Sequence, residues 1–512
     1  MASISSSSSS SSSRSWLLFD TNSPLASLSK ILLISGVVLY IGIILLPNIP
    51  SCPSPSEIMV SPTRVAVDQT VSGGDPSPSP SPGTGRGRGG RGRTNLSHVI
   101  FGLVGSENAW HHRKAYVETW WRPNVTRGFI YLDTEPTGEL VPWSPWSPPY
   151  RVSDNISRIV EVTGHVDATV ARIVHGIMEV FRDCEGENED RGLRWVVMGD
   201  DDSIFMVDNM VELLARYDHT KYYYFGGHSE FILSNFWYSF NQGFGGAGFL
   251  LSYPLAKALA KGIESCLKRY NQLRAADSTA MACIADLGIN LSPVPGIHQM
   301  DLRGDASGFL SAHPNTPLMS LHHFDMIEPI FPLMDRAQST AHLMSAANMD
   351  QTRILQQIIC HHRVTNWTFS VSWGYGVHIY EKIMPRSFLQ NPIVTFKDWA
   401  PSPRPPNWMF DVRQPVNDPC ESPHVFFLES VKKTPNNNRI LTTYKRQWRR
   451  KLPPCAFTGN HSADYVFRIR VYTPAAKRTQ AERCECCDVT RVSDSSIADV
   501  KIRECMENEV IA

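Results

Sequence analysis

The segment RWVVMGDDDSIF, Arg194 to Phe205, runs a short apolar stretch into a glycine and three consecutive aspartates, with a helical pattern directly after it. Three adjacent carboxylates repel one another, and none can be buried cheaply without a partner. A chain that keeps them must fold so that the end of this strand meets something positive. Carboxylates in an Asp-X-Asp pattern at a strand end suit a hard cation, and Mg²⁺ in particular takes one or two protein carboxylates together with substrate phosphates. The competing reading is a solvated acidic turn in which Asp202 caps a helix beginning near Ile204.

The sequence around the triplet alternates between strand and helix patterns. SHVIFGLVG (Ser97 to Gly105), RGFIYLD (Arg127 to Asp133), RWVVMG and KYYYFGG (Lys221 to Gly227) read as strands. AWHHRKAYVETWW, DATVARIVHGIMEVFRDC (Asp167 to Cys184), IFMVDNMVELLARY and YPLAKALAKGIESCLKRY carry helical spacing. This alternation predicts an α/β sandwich around a mostly parallel sheet. Ligands of such sheets bind at the carboxyl ends of the strands, which is where the triplet lies. From about Arg336 the texture changes to β-branched and aromatic runs between proline-rich loops. Residues 340–512 therefore read as a β-rich, cysteine-containing C-terminal region, without a repeat or a chemical motif.

Three further pieces bear on chemistry. NQGFGGAGFLLS (Asn241 to Ser252) is a glycine-rich loop, where missing side chains permit close backbone approach to a ligand. AADSTAMACIADLGI sets one carboxylate, Asp277, at the start of a small-residue helix, where a capping role competes with a functional one. MSLHHFD (Met319 to Asp325) offers adjacent histidines on a short apolar run. A strand ending in Asp-Asp-Asp, a Gly-Gly-Ala-Gly loop, an isolated Asp and then a His follow in that order.

In that order and spacing the chain resembles the fringe-type inverting β1,3-glycosyltransferases, most closely the plant fringe-related branch long labelled a domain of unknown function. The resemblance covers about residues 96–330. It implies a GT-A-like nucleotide-sugar-binding fold and transfer from a UDP-sugar to a hydroxyl of a glycan or glycoprotein acceptor, with Mn²⁺ or Mg²⁺ as cofactor. Carried over residue by residue, it assigns Asp202 and His323 to the metal, His323 being chosen over His322 because Phe324 and Asp325 follow it. It assigns Asp200 and Asp201 to the donor, Asp277 to the catalytic base, and Gly245, Gly246, Ala247 and Gly248 to the lining of the donor and acceptor cleft. Arg122 and Asp133 are further donor-binding candidates, from the segment in which the family contacts the nucleotide. Two departures bear on the acceptor: a lengthened segment between Asp277 and the histidines, and the large C-terminal region outside the resemblance.

The N-terminal hundred residues bear on location. A serine tract precedes ILLISGVVLYIGIILL, Ile31 to Leu46, which holds no charge. As a helix it would span about 24 Å, short of a hydrocarbon core of about 30 Å but suited to the thinner membranes of the early secretory pathway. Arg14 and Lys30 precede it and the next basic residue is Arg64. The positive-inside rule then leaves the N-terminus cytosolic and the rest of the chain outside the cytosol. This gives a cytoplasmic tail (1–30), a transmembrane signal anchor (31–47), a proline-, serine- and glycine-rich disordered stem (48–95), a transferase domain (96–335) and the C-terminal region (340–512). The expected location is the Golgi membrane, single-pass and type II, with the catalytic domain luminal. Six Asn-X-Ser/Thr sequons, at Asn95, Asn124, Asn155, Asn290, Asn366 and Asn460, all follow the span. So do all 11 cysteines: Cys52 in the stem, where it would permit a homodimer, and ten beyond it that fit disulfides better than zinc.

Charge excludes little except nucleic acid. Lys plus Arg and Asp plus Glu both number 49, so the net charge is zero. The arginine–glycine stretch from Arg86 to Arg93 looks like an RNA-binding segment but reads better as a cationic stem. The alternative to an enzyme is a non-catalytic carbohydrate-binding or scaffold protein on the same fold. Retention of Asp202, Asp277 and His323 together argues against it.

Overall fold

VIFGLV, Val99–Val104, is apolar on both faces and all six residues are buried, as a strand covered on both sides requires. It is β1 of a seven-stranded sheet whose order is β3-β2-β1-β4-β7-β6-β8. The other members are β2 (Arg127–Leu132), β3 (Tyr150–Val152), β4 (Trp195–Asp200), β6 (Tyr224–Gly226), β7 (Phe249–Ser252) and β8 (Ser292–Pro293). Neighbours are parallel except where β7 pairs with β4 and β6. The computed structural model describes residues 92–185, 192–402, 404–436, 438–455, 462–478, 483–492 and 496–511. The predicted anchor and stem, Cys52 and all but the end of the arginine–glycine stretch lie outside them. No helix among the described residues is long and apolar enough to cross a membrane.

Alternation along the strands divides the core. Ile100 and Val104 of β1 and Val196 and Met198 of β4 face helices Ala168–Glu185, Tyr253–Arg269 and Ala276–Ala285. Phe101, Leu103, Trp195 and Val197 face the other way, into a core that continues through Trp120, Phe205 and Phe309 to Trp373, Tyr444 and Val500 in the C-terminal region. That region forms an eight-stranded sheet between Gln357 and Arg503, antiparallel except for one pairing, Arg468–Pro474 with Ile497–Arg503. The α/β part and the β-rich part expected from sequence are both present.

One local expectation fails. The helix after the triplet does not begin near Ile204. Ile204–Phe205 is a short strand, β5, and the helix is Val207–Leu214 with Met206 as its N-cap. β5 joins a small sheet with β9 (Ile297–His298) and β11 (Ser320–Leu321). Asp202 therefore caps nothing. Tertiary pairing of two fully buried apolar residues wins over the helical periodicity that continues after them.

Among the described residues, four disulfides join Cys266 to Cys283, Cys360 to Cys487, Cys420 to Cys455 and Cys486 to Cys505. The CECC cluster is thus spent on disulfides through Cys486 and Cys487, as expected, while Cys184 and Cys484 stand outside these bonds. The five sequon asparagines among the described residues, Asn95, Asn124, Asn155, Asn290 and Asn366, are all exposed.

Candidate metal-binding and catalytic site

Register builds the site. Val104 lies opposite Asp200 in the parallel pairing of β1 and β4. The chain leaving β1 at Gly105 and Ser106 therefore meets the triplet as it leaves β4. β7 runs the other way, with Phe249 opposite Met198, so the glycine loop that feeds β7 arrives at the same edge. β11 pairs with β5 just after the triplet and delivers His322 there.

The three aspartates separate by environment. Asp202 is fully buried; its Oδ1 lies 3.1 Å from His322 Nε2 and 3.4 Å from Arg113 Nη1. Burial opposes its ionisation, but His322 and Arg113 outweigh burial and hold the carboxyl well below the usual carboxylate range. Asp201, also buried, accepts a 2.7 Å bond from Arg113 Nη1 and a 3.3 Å bond from the Ser106 N–H. Asp200 keeps 38% of its side chain exposed, with Oδ2 3.8 Å from His322 Nε2. Desolvation, then repulsion from Asp202, Asp277 and Asp201, pushes it up to about 7 against the pull of His322. His322 itself is opposed by burial yet carried up to about 9 by Asp202 and Asp200.

Asp200, Asp202 and His322 each turn a ligand atom toward one point, all within 4.8 Å of one another. Asp202 Oδ2 and His322 Nδ1 are buried and have no hydrogen-bond partner. Two carboxylates and an imidazole with an orphaned carboxylate oxygen fit a hexacoordinating divalent cation such as Mn²⁺.

The glycines are fixed by what they touch. A Cβ on Gly246 would sit 2.0 Å from His322 Cε1, and one on Gly245 would sit 2.4 Å from Asp277 Oδ1. Ser203 ties this loop to the triplet: its Oγ accepts the Asp200 N–H at 2.8 Å and donates to the Gly246 carbonyl at 2.6 Å. Gln299 Oε1 accepts the Ala247 N–H at 2.9 Å, and Gly248 takes φ +90°. Asp277 lies in the first turn of helix Ala276–Ala285, whose N-cap is Ala275, so the capping reading does not hold. It lines a small cleft with Asp200 and Gly245. Burial pushes its carboxyl up to about 6, against a hydrogen bond from the Gly245 N–H.

The structure brings together Asp200, Asp201, Asp202, Gly245, Gly246 and Asp277. It departs from expectation at the histidines. His322, not His323, lies within hydrogen-bond distance of Asp202; His323 takes φ +56° and its ring packs on that of His322 at 3.8 Å. Its Nδ1 lies 3.1 Å from Asp301 Oδ1 and its ring stacks on Trp399 at 4.5 Å. Arg122 is held in a two-pronged pair with Asp208 at 2.7 and 3.0 Å. Asp133 accepts the Glu107 N–H at 2.8 Å, at the start of helix Glu107–Val117.

Sequence reading missed Arg113 and Asp325. Arg113 bonds Asp201 through Nη1 and Asp325 through Nη2, at 2.7 and 2.6 Å, and is the positive partner that the triplet requires. The signal was available: helix Glu107–Val117 carries HHRK right after β1, and a parallel strand order places that helix beside the triplet.

A Fringe-like family model matches residues 95–306, and a model described as a protein of unknown function, DUF604, matches residues 234–487. Together the two matches are consistent with a fringe-type glycosyltransferase family. The two matches overlap across the glycine loop and Asp277 and together run from β1 into the C-terminal sheet. The Fringe-like family is one of glycosyltransferases, which carries with it a nucleotide-sugar donor and a glycan acceptor. A comparison with curated proteins found no match.

Proposed function

We propose that this fringe-related chain is an inverting, metal-dependent glycosyltransferase of GT-A-like architecture. It moves a sugar from a UDP-sugar to a glycan hydroxyl, forming a β1,3 linkage. The observation that carries the reading is the convergence of Asp200, Asp202 and His322 across a glycine loop from the separate carboxylate of Asp277.

Asp202 and His322 would hold the cation, with Asp200 as a third donor on the open side of the cleft. The cation, when bound, supplies positive charge beside the leaving diphosphate. Asp201 keeps Arg113 in place behind the carboxylates. Gly245, Gly246, Ala247 and Gly248 give the sugar an unobstructed floor. Asp277 takes the proton of the acceptor hydroxyl as its oxygen forms the new bond to the anomeric carbon. The bond from that carbon to the phosphate oxygen breaks, UDP leaves, and the single displacement inverts the centre. A carboxylate raised to about 6 is a better base than an ordinary aspartate and is still ionised at neutral pH.

The sequons, the disulfides and the Ile31–Leu46 run support a Golgi location behind a type II anchor. The exposure of all five described sequon asparagines fits glycan attachment.

The test is UDP release by the purified protein across a panel of UDP-sugars, with Mn²⁺ and with EDTA. Slow hydrolysis of one donor, lost in EDTA and in Asp202→Ala, is the expected result. Absence of both turnover and donor binding by calorimetry overturns the reading in favour of a non-catalytic carbohydrate-binding protein.

A further inference from the structure

A second concavity lies on the segment leading into the glycine loop. It is a cavity of about 360 Å³, lined by His228, Glu230, His298, His313, Asn315 and Phe410 among others. That volume falls at the small end of ordinary ligand sites, which run from about 300 to 1,000 Å³. Its polar wall is built rather than incidental. Glu230, 5% exposed, holds His298 Nδ1 at 2.8 Å through Oε1 and accepts the Met300 N–H at 2.6 Å through Oε2. His298 is 3% exposed, and its Nε2 has no hydrogen-bond partner. His313 meets the His298 ring edge-on at 5.6 Å and stacks on Phe410 at 4.2 Å, adding a flat aromatic face to the lining.

Beside the cavity stands a run of aromatics. Phe236, Trp237, Tyr238 and Phe240 are 71%, 53%, 52% and 51% exposed. Adjacent large apolar side chains left in water mark an interaction surface. His228 joins run and cavity: it lines the cavity, and its Nε2 lies 2.9 Å from the Phe240 carbonyl oxygen.

The cavity shares its framework with the candidate site. The Phe244 N–H, one residue before Gly245, donates to the Gly227 carbonyl at 3.1 Å. Ser278, next to Asp277, donates to Gln242 Oε1 at 2.7 Å. β9, which ends in His298, pairs with β11, which delivers His322.

The lining selects the ligand. Among the described residues it contains no lysine or arginine, and Glu230 is the one carboxylate, so a diphosphate or an acidic sugar finds no counter-charge there. A carboxylate, imidazoles and an amide beside an aromatic face suit a neutral pyranose, whose ring offers hydroxyls at its rim and C–H groups on its faces. We propose that this cavity, with the aromatic run as its rim, is a saccharide site that holds the neutral glycan acceptor. One sugar sits in the cavity and the units beyond it lie against Trp237 and Phe240. Its role as acceptor site rests on the glycosyltransferase reading above; its binding of neutral saccharide does not.

The test uses the full purified chain on a printed array of neutral and acidic oligosaccharides, followed by calorimetry of the retained glycan against wild type, Asn315→Ala and Trp237→Ala. UDP release without acceptor is measured in parallel. The expected result is retention of neutral glycans only, with binding weakened at least tenfold in both variants and acceptor-free UDP release unchanged. Trp237 packs on Phe231 at 5.9 Å, so Asn315→Ala decides the matter should Trp237→Ala fold poorly. Retention of no neutral glycan, or equal binding by wild type and Asn315→Ala, overturns the site even where UDP release is normal. Saccharide binding lost in Asn315→Ala, in a protein that releases no UDP from any donor, upholds the site and overturns the enzyme.

Discussion

At the scale of single residues, two adjacent histidines divide the work. His322 sits 3.1 Å from Asp202, while His323 is committed to Asp301 and Trp399. His322→Ala is expected to lower Mn²⁺ affinity well beyond the roughly 10- to 100-fold that loss of a supporting group costs, and His323→Ala to stay within that range. Manganese titration of both variants by calorimetry decides it, and the reverse order would return the ligand to His323. Asp277 gives a pH prediction. Burial carries it from 3.8 to about 6, so its base form is lost as pH falls through about 6. At saturating Mn²⁺, which keeps Asp200 ionised, log kcat/KM should rise with unit slope below about pH 6 and level off above it. In Asp277→Asn transfer should vanish at every pH, and a normal acidic limb with that variant would exclude Asp277 as the base. What was legible here was chemistry type: carboxylates, a glycine loop, a histidine. Which histidine was not legible, because the choice turns on tertiary partners distant in sequence: Asp202 for one ring, Asp301 and Trp399 for the other.

At the scale of elements, the site depends on contacts that leave no room. Gly246 lies against the His322 ring so closely that a methyl group there would overlap Cε1, Nδ1 and Nε2, at 2.0, 2.4 and 2.4 Å. Gly246→Ala should therefore displace the ring and weaken Mn²⁺ binding at least tenfold, with a stability cost of about 1–3 kcal/mol from overpacking. Unchanged manganese affinity in that variant would mean that the loop does not position His322. Helix Glu107–Val117 supplies the opposite constraint through Arg113, which forms ion pairs with Asp201, Asp202 and Asp325 at once. Removing one partner of a buried ion network costs about 3–5 kcal/mol because the remaining charges stay buried. Arg113→Leu should lose roughly that much in urea unfolding in EDTA, and Mn²⁺ should restore part of it. A variant as stable as wild type in EDTA would show that the carboxylates are not repelling one another there. The strands and most helices were legible from periodicity. β5 was not, since two residues carry no period, and only pairing with β11 makes Ile204–Phe205 a strand.

At the scale of the whole molecule, a boundary near residue 335 is where sequence texture changes, and the packing crosses it. Phe309 lies against Phe396 and Phe410, at ring distances of 6.5 and 5.5 Å. β10 (Leu302–Gly304) pairs with Phe396–Asp398, and Phe231 bridges Trp408. Polar ties follow the same seam: Asn209 Nδ2 donates to the Gln351 carbonyl at 2.8 Å, and Ser372 Oγ to the Leu310 carbonyl at 2.8 Å. Composition marks where one kind of sheet gives way to another, but not whether their cores are separate, because contact partners far apart in sequence leave no local pattern. A fragment ending at 335 would expose Phe231, Phe309, Leu310 and Leu302, which are buried in the whole chain. At about 1.5–3 kcal/mol for each large apolar side chain, that loss rivals the 5–15 kcal/mol by which a domain is ordinarily stable. The fragment 95–335 is therefore expected to lack a cooperative thermal transition by circular dichroism, whereas 95–512 shows one. A sharp transition for the short fragment would mean that the transferase half folds alone. The wall of the saccharide cavity formed by Phe410 would then be a later addition to an independent core.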